Sequence, residues 1–311
     1  KLSRGFLPHP GWLARFLAVQ YNPKDHEEPL QSARGRGFYG GVASPMPELP
    51  DVAYFERYLA STALHQLIRE AEVRDEGIVE DISGEGLAAA ARGRSMEQTR
   101  RHGKNLFVAL GNGPWLVLHF GMTGFPRYFR RPESRPEHVR ILFHLEDGWK
   151  LAYDCQRRLG HAGITQDPGG YIERKGLGSD ALLADEDERY AALKRRRGRL
   201  KSVLMNQEAL AGIGNLYADE ILFQCGLHPL RRLDELSDRQ VRRLSEVTGD
   251  VLACAVERNA DRDLLPGHYL LTARRRSNCC PRCGTDLEDI KVGQRTTYFC
   301  PRCQGRTDPD S

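Results

Sequence analysis

The chain has 311 residues, with 46 Lys or Arg against 42 Asp or Glu and a formal net charge of +4. This length suits two domains of roughly 100–200 residues each and excludes a single small domain. No apolar run approaches the ~18 uninterrupted residues of a membrane span, so the sequence predicts a soluble protein with no membrane partner. A net charge this small does not by itself indicate a polyanionic partner.

The first 46 residues differ in composition from the rest of the chain. They contain scattered prolines and a Gly-rich end, which is typical of a linker or a disordered segment. A basic stretch followed by an apolar core and a small-residue cleavage site is missing, so the segment does not resemble a secretory signal. Because the first methionine is Met46, we interpret residues 1–46 as a disordered extension or a misassigned start.

Residues 47–175 predict a helix followed by an antiparallel β-sandwich. Pro50 opens an amphipathic pattern with apolar residues on one side. Short apolar runs separated by glycine follow this helix, and residues 111–113 and 146–148 carry hairpin-turn signals between two such runs. Both signals favour antiparallel strands.

The remainder of the chain predicts two further units. Residues 176–265 have helical patterns, and Ser237 with Gln240 resembles a capping box at the start of the last helix. Residues 266–306 are short, polar and Cys-rich, and residues 307–311 form a tail. The predicted fold class is therefore a multi-domain α+β protein.

Two Cys-Pro-Arg-Cys pairs, separated by 16 residues, predict a zinc ribbon. Their four ligands are Cys280, Cys283, Cys300 and Cys303. Four thiolates close a tetrahedral site with no open position, so the single Zn²⁺ is structural and holds a segment that has no core of its own. Disulfides are the alternative, but the other cysteines are scattered and do not resemble an oxidising framework. Cys279 adjoins the first pair and could compete as a ligand.

Six motifs occur in order along the chain. They are MPELPDV at Met46, RHGKNLF at Arg101, LHFGMTG at Leu118, RRLG at Arg157, GIGNLYADEILFQCGLHP at Gly212, and TTYFCPRCQ at the end. From Met46 to about Arg306 the chain thus resembles the formamidopyrimidine-DNA glycosylase and endonuclease VIII family. The second and third predicted units then correspond to a helix-two-turn-helix domain and a zinc ribbon.

The resemblance implies a bifunctional DNA glycosylase and abasic-site lyase of base-excision repair that removes oxidised bases. It implies double-stranded DNA with a damaged base or an abasic site as the partner. It further implies a monomer in the bacterial cytoplasm, associated with the nucleoid. Oxidised purines and oxidised pyrimidines both remain open as substrates, and a loop that covers an oxidised purine in some members is expected near residues 175–184.

The resemblance assigns catalytic roles to Pro47, Glu48 and Lys104. A free N-terminal proline is a secondary amine that attacks the sugar C1′, forms an iminium and allows β,δ-elimination. Glu48 protonates the sugar ring oxygen, and Lys104 reaches a phosphate beside the lesion. From the residues alone, the first motif also suits an ordinary helix start, and Lys104 a solvated basic turn.

Other matched residues are expected to contact DNA. Met122 fills the gap left by a flipped base, although a methionine near strand ends is more often part of a core. Arg157 or Arg158 pairs with the orphaned base. Leu159 stands where the family usually has a phenylalanine wedge.

Three more residues resemble phosphate contacts of the family. Lys201 lies upstream of the Gly-rich turn, Asn215 ends the turn, and Arg295 lies in the zinc ribbon. A Gly-rich turn alone is a weak signal, since many loops share it.

The extension leaves three alternatives open, because the nitrogen of Pro47 is an amide when another residue precedes it. Translation starts at Met46, or proteolysis exposes Pro47, or the protein binds lesion or abasic DNA without catalysis.

Overall fold

The computed structural model describes residues 47–305. The predicted extension and the predicted tail at 307–311 lie outside the described residues. Between residues 47 and 305, no helix is long and apolar enough to cross a membrane.

Helix α1 (Leu49–Thr62) joins two cores. Its Val52 and Phe55 belong to the core of the β-sandwich, whereas Leu49 and Ala53 belong to the core of the helical domain. The helix starts with a capping box, in which the Asp51 carboxylate accepts the Glu48 N–H at 2.9 Å. The predicted amphipathic helix is confirmed, and its two apolar faces contact different domains.

Nine strands and one helix follow α1 in the first domain. They are β1 (Ile68–Val73), β2 (Val79–Glu80), α2 (Gly84–Ala91), β3 (Met96–His102), β4 (Asn105–Leu110), β5 (Trp115–His119), β6 (Gly124–Phe129), β7 (Val139–Leu145), β8 (Lys150–Cys155) and β9 (His161–Thr165). One sheet has the order β1-β7-β8-β6 and the other β2-β9-β5-β4-β3. Apolar residues of both sheets form a single buried cluster, so the sheets pack as a sandwich.

The two predicted hairpins are confirmed. Residues 111–113 join β4 to β5, and residues 146–148 join β7 to β8, with antiparallel pairing in both cases. The short edge strand β2 differs from the prediction, because it pairs with β9 in parallel.

The helical domain contains short elements around two longer helices. They are β10 (Ser179–Asp180), α4 (Glu186–Lys194), α5 (Leu200–Leu204), β11 (Leu210–Ala211), α6 (Asn215–Cys225), α7 (Asp238–Glu257) and α8 (Leu270–Arg276). Helix α3 (Pro168–Arg174) links the two domains and packs Tyr171 against Phe107 and Val117 of the sandwich. The predicted capping box of α7 is present, with Ser237 N–H donating to Gln240 Oε1 at 3.0 Å and Gln240 N–H donating to Ser237 Oγ at 3.4 Å. The turn between α5 and α6 belongs to the predicted helix-two-turn-helix unit.

The segment expected to cover the lesion, near residues 175–184, is bound to the helical domain. Strand β10 pairs with β11, and Gly178 N–H donates to the Gln207 carbonyl at 2.9 Å. Part of this segment is thus hydrogen-bonded to the helical domain, and its role in covering a lesion stays a prediction.

The last unit is a two-stranded hairpin, β12 (Glu288–Val292) and β13 (Arg295–Phe299). Gly293 and Gln294 form its turn with φ values of 55° and 62°, as a two-residue type I′ turn requires. Four cysteines and Phe223 of α6 contribute to the small cluster beneath it.

Candidate active site and nucleic-acid interface

The Glu48 carboxylate binds the amino-terminal end of helix α6. Its two oxygens accept three backbone N–H groups, from Gly214, Leu216 and Tyr217, at 2.8, 2.8 and 3.2 Å. The residue is fully buried, and the helix dipole favours an anion at this end. A Cβ atom on Gly214 would lie 2.4 Å from Glu48 Cδ, so only glycine permits this approach.

Pro47 precedes this fixed carboxylate and is itself buried. In the printed chain its nitrogen is bonded to Met46. The backbone beyond Glu48 is also tied to the helical domain, since Leu49 N–H donates to the Gly212 carbonyl at 3.0 Å. The position of Pro47 therefore depends on the turn that leads into α6.

The hairpin between β3 and β4 is anchored by the buried Asp180. Gly103, with φ of +58°, donates its N–H to Asp180 Oδ2 at 2.7 Å. The Arg101 guanidinium pairs with both carboxylate oxygens. Burial acts to raise the pKa of Asp180, but Arg101 and the backbone N–H donors together hold it below its usual range. The hairpin that carries Lys104 is thus fixed against the helical domain.

Lys104 lines an open pocket of about 190 Å³. The other lining residues are Asn105, His119, Leu177, Met205, Gln207, Ala211 and Arg295. Burial lowers the pKa of Lys104 and the nearby Arg295 lowers it further, whereas Glu48 and Asp51 act in the opposite direction. The pocket therefore has two cationic side chains on its wall and two carboxylates nearby.

Asn215 and Arg295 are brought together by the zinc-ribbon hairpin. The Asn215 amide Nδ2 donates to the Thr296 carbonyl at 3.1 Å, directly beside Arg295. Arg295 is exposed at the start of β13. Two residues that are 80 positions apart in the chain thus lie at one surface.

Lys201 does not lie at that surface. Its side chain is fully buried, with Nζ 2.7 Å from Asp219 Oδ1 and 2.6 Å from Thr297 Oγ1. The expectation that Lys201 contacts a phosphate directly is therefore wrong for this structure, because the ammonium already has a buried carboxylate partner. It joins the helical domain to the zinc ribbon instead.

The loops that carry Met122 and Leu159 are in contact. Arg157 N–H donates to Thr123 Oγ1 at 3.0 Å, and Gly121 packs against the backbone of Leu159. Leu159 is 52% exposed, whereas Met122 is partly buried in the turn between β5 and β6. The two side chains expected near a flipped base thus belong to one surface.

The structure distinguishes between the two neighbouring arginines. Arg158 binds Asp75 in bidentate fashion, with Nε and Nη2 each 2.6 Å from a carboxylate oxygen. Arg157 is exposed, and within residues 47–305 its side chain has no hydrogen bond or ion pair. Arg157 is therefore the arginine of the two whose guanidinium is available to a ligand, and its pairing with a base stays a prediction.

Sequence reasoning missed His119, although it lies within the LHFGMTG motif. It is at the end of β5 and lines the pocket beside Lys104. Asp180 and Asp219 were also missed, and no local pattern indicates them, since Arg101 and Lys201 contact them only after folding.

The four predicted zinc ligands converge. One sulfur atom from each of Cys280, Cys283, Cys300 and Cys303 lies within 4.8 Å of the other three. Two of the S···S distances are 3.7 and 3.5 Å, close to the roughly 3.8 Å that tetrahedral Zn–S bonds of about 2.3 Å produce. Cys279 instead contacts Asp286, so the four-cysteine set fits one structural zinc.

A β-sandwich, a helix-two-turn-helix domain and a zinc ribbon arranged around one pocket form the fold of a class of DNA-repair glycosylases. Family models match each unit: the formamidopyrimidine-DNA glycosylase N-terminal domain at residues 46–162, its H2TH domain at 177–263, and the zinc finger found in FPG and IleRS at 279–305. The chain belongs to the formamidopyrimidine-DNA glycosylase family.

Individual relatives agree with this assignment. The formamidopyrimidine-DNA glycosylase of Syntrophomonas wolfei is 34% identical over 275 residues, covering 83% of this chain and all of the relative. That of Heliobacterium modesticaldum is 35% identical, with the same coverage.

Solved structures of the family have the same fold. The Lactococcus lactis Fpg bound to a N7-Benzyl-Fapy-dG containing DNA has a TM-score of 0.73 at 25% identity, covering 84% of this chain and all of that one. MutM in complex with carbocyclic 8-oxo-G containing DNA has a TM-score of 0.75, with equal identity and coverage.

Proposed function

We propose that this protein, in the form that begins at Pro47, is a DNA glycosylase and abasic-site lyase that removes oxidised purines from bacterial chromosomal DNA. One observation carries the proposal. Glu48, the residue after Pro47, has a buried carboxylate that accepts three backbone N–H groups at the start of α6. This carboxylate lies near the pocket that Lys104 and Arg295 line.

The chemistry uses the Pro47 nitrogen as a nucleophile. The secondary amine attacks C1′ of the damaged nucleotide, the C1′–base bond breaks, and the base leaves with the electron pair and takes a proton from water. Glu48 accepts the proton of the attacking amine and returns it to the sugar ring oxygen, which opens the ring and leaves an iminium. Loss of the C2′ proton then expels the 3′ phosphate, and a second elimination releases the 5′ phosphate.

Residues around the pocket bind the phosphates of the DNA backbone. Lys104 and Arg295 provide positive charge, and Asn215 provides an amide donor at the start of α6. Arg157, Met122 and Leu159 form the surface that enters the space of the extruded base. Binding through these few phosphate contacts weakens as salt concentration rises.

The substrate class is supported by the relatives. They are named for formamidopyrimidine, and two solved relatives hold Fapy-dG and 8-oxo-G DNA. Because relatives that share three domains with this chain have these names and are bound to these DNAs, we favour oxidised purines over oxidised pyrimidines.

The test is covalent trapping by borohydride, which reduces the iminium to a stable amine. A protein that begins at Pro47 is expected to form an adduct with an 8-oxo-G duplex and with an abasic duplex. The full 311-residue chain is the matched control, because its Pro47 nitrogen is an amide. Absence of an adduct with the Pro47 form on every oxidised-purine and abasic substrate contradicts the proposal.

A lesion-binding protein without catalysis is the second candidate. It is favoured by one observation, that Met46 precedes Pro47 in the printed chain while the pocket and the phosphate-binding turn are intact. It predicts salt-sensitive binding of abasic duplex by the full chain without strand cleavage. Mass spectrometry of the amino terminus of the native protein decides between the two.

A further inference from the structure

His119 and His161 form a stacked pair at the edge of the pocket. They are register partners on the neighbouring antiparallel strands β5 and β9, so their side chains lie on the same face of the sheet. Their ring centroids are 4.6 Å apart and the ring planes differ by 10°. His119 lines the pocket, whereas His161 lies behind it.

The contacts of His119 define which ring nitrogen carries the proton. Gly121 N–H donates to His119 Nδ1 at 3.3 Å, so Nδ1 is an acceptor and carries no proton. In the neutral ring the proton is therefore on Nε2, which is then a donor. The backbone is fixed as well, because Tyr153 Oη donates to the His119 carbonyl at 2.8 Å.

His161 is held in turn by a polar cluster on the far side of the stack. Its Nε2 lies 3.3 Å from Glu80 Oε2 and 3.3 Å from Tyr171 Oη. Lys175 Nζ pairs with the other Glu80 oxygen at 2.6 Å. The ring that packs on His119 is thus held by two side chains, with Lys175 holding Glu80 in turn, and none of these three residues lines the pocket.

We infer that His161 is a positioning residue, which acts through His119 by holding that ring as a neutral donor aimed at the DNA backbone. The inference rests on the proposed function, since it requires DNA in this pocket. A phosphate oxygen accepts a hydrogen bond from Nε2–H, and a fixed ring loses little freedom when that bond forms. Without the stacked His161 ring, the remaining contact that orients the His119 ring is the hydrogen bond from Gly121 N–H to Nδ1.

The charged groups around His119 agree with a neutral ring. Lys104, in the turn between β3 and β4, and Arg295, in the zinc ribbon, line the same pocket as His119, while Glu80 lies behind His161. Burial, the neighbouring His161 and Lys104 lower the pKa of His119 to about 3, and Glu80 opposes them. The ring thus stays neutral throughout the physiological pH range.

The test compares binding of a duplex with a tetrahydrofuran abasic analogue, which the enzyme does not cleave. His161→Ala is expected to weaken binding about three- to tenfold near neutral pH, equivalent to one lost hydrogen bond. It is expected to raise KM for an 8-oxo-G duplex by a similar factor and to leave kcat unchanged. His161→Phe keeps a flat ring against His119 and is expected to restore most of the affinity.

Two further measurements separate positioning from a general structural effect. In a His119→Ala background, His161→Ala is expected to have no additional effect on binding. Nitrogen NMR of the free protein is expected to show the Nε2–H form of His119, and His161→Ala is expected to raise the pKa of that ring, because His161 is one of the groups that lower it. Affinity of that variant therefore increases more steeply with acidity than affinity of the unaltered protein.

His144→Ala is the matched control, since this histidine pairs with Glu72 on the other sheet and should leave binding unchanged. Additive losses from His119→Ala and His161→Ala, or equal losses from His161→Phe and His161→Ala, overturn the inference. Binding by the unaltered protein without borohydride trapping contradicts only the proposed catalysis, because the histidine variants are still measured by affinity.

Discussion

The helical domain is joined on one side to the sandwich and on the other to the zinc ribbon, by different kinds of contact. On the sandwich side, Glu48 and Asp180 accept backbone N–H groups across the interface. On the ribbon side, the buried Lys201–Asp219 pair of the helical domain contacts β13, where Lys201 Nζ donates to Thr297 Oγ1 and Tyr298 N–H donates to Asp219 Oδ2. The first interface fixes the positions of Glu48 and of the hairpin that carries Lys104. The second interface holds the zinc ribbon, which contributes Arg295 to the pocket.

Loss of zinc is expected to have the largest effect. A structural zinc contributes about 10–16 kcal/mol to a small domain at neutral pH, and the ribbon cluster contains few other buried residues. Cys300→Ser should abolish zinc binding and lower affinity for abasic duplex about 100-fold, because Arg295 and the partner of Asn215 are no longer held. Metal content and binding isotherms measure this.

Cys279→Ser is the control for that experiment. This cysteine contacts Asp286 and Ser277, so one zinc per chain and normal affinity are expected. Loss of zinc in Cys279→Ser shows that the ligand set is different.

Breaking the ion pair on the ribbon side should destabilise the fold. Asp219→Asn leaves the Lys201 ammonium buried without its counter-charge, which typically costs about 3–5 kcal/mol. Replacing both residues with apolar ones should recover much of the loss. Urea denaturation measures both effects.

Asp238→Asn removes the carboxylate from an exposed pair with Lys194 and is the control. Its denaturation midpoint should not move. Equal midpoints for Asp219→Asn and the unaltered protein exclude a stabilising role for the buried pair.

On the sandwich side, Glu48→Gln tests the carboxylate directly. The amide cannot shuttle a proton, and its NH₂ group opposes the backbone donors of α6, so we expect lyase activity to fall about 10²–10⁴-fold. Borohydride trapping and single-turnover cleavage measure the change. Glu85→Gln, at an exposed site in α2, should have full activity, and near-normal turnover by Glu48→Gln excludes the proton role.

The smallest expected effect concerns a second buried carboxylate of α6. Glu220 accepts N–H groups from Leu270 and Leu271 at the start of α8. Burial raises its pKa from 4.5 to about 7, although these donors and Gln224 oppose the shift. The protonated form is thus favoured in the folded state, so the stability that Glu220 contributes is complete below pH 4.5 and is lost as pH rises through about 7.

That interval corresponds to about 3 kcal/mol. Glu220→Gln should therefore reduce the difference between the free energies of unfolding measured at about pH 5 and about pH 8. Glu257→Gln, at an exposed position, should not. An unchanged difference in Glu220→Gln shows that this carboxylate titrates as it does in the unfolded chain.

Local patterns predicted much of the fold because they act within a few residues. The turn at residues 111–113, the capping box of α7 and the paired cysteines each specify geometry through neighbours in the chain. The glycines around Gly212 predicted a backbone approach to a phosphate, which stays a prediction, and the structure adds the approach of Gly214 to the Glu48 carboxylate.

Contacts between distant residues required the tertiary structure. The sequence alone predicted that Lys201 contacts a phosphate. The local sequence does not reveal whether a lysine is exposed to solvent or paired with a buried carboxylate, as Lys201 is with Asp219. The choice between Arg157 and Arg158 likewise depended on Asp75, which lies 83 positions away from Arg158.

By itself, the sequence thus determined the family, the three units and the metal ligands, since these depend on spacing and residue type. Only the tertiary structure decided which charges are neutralised and which are available to a ligand. The physical reason is that burial and pairing are set jointly by segments far apart in the chain, as the stack of His119 on His161 illustrates.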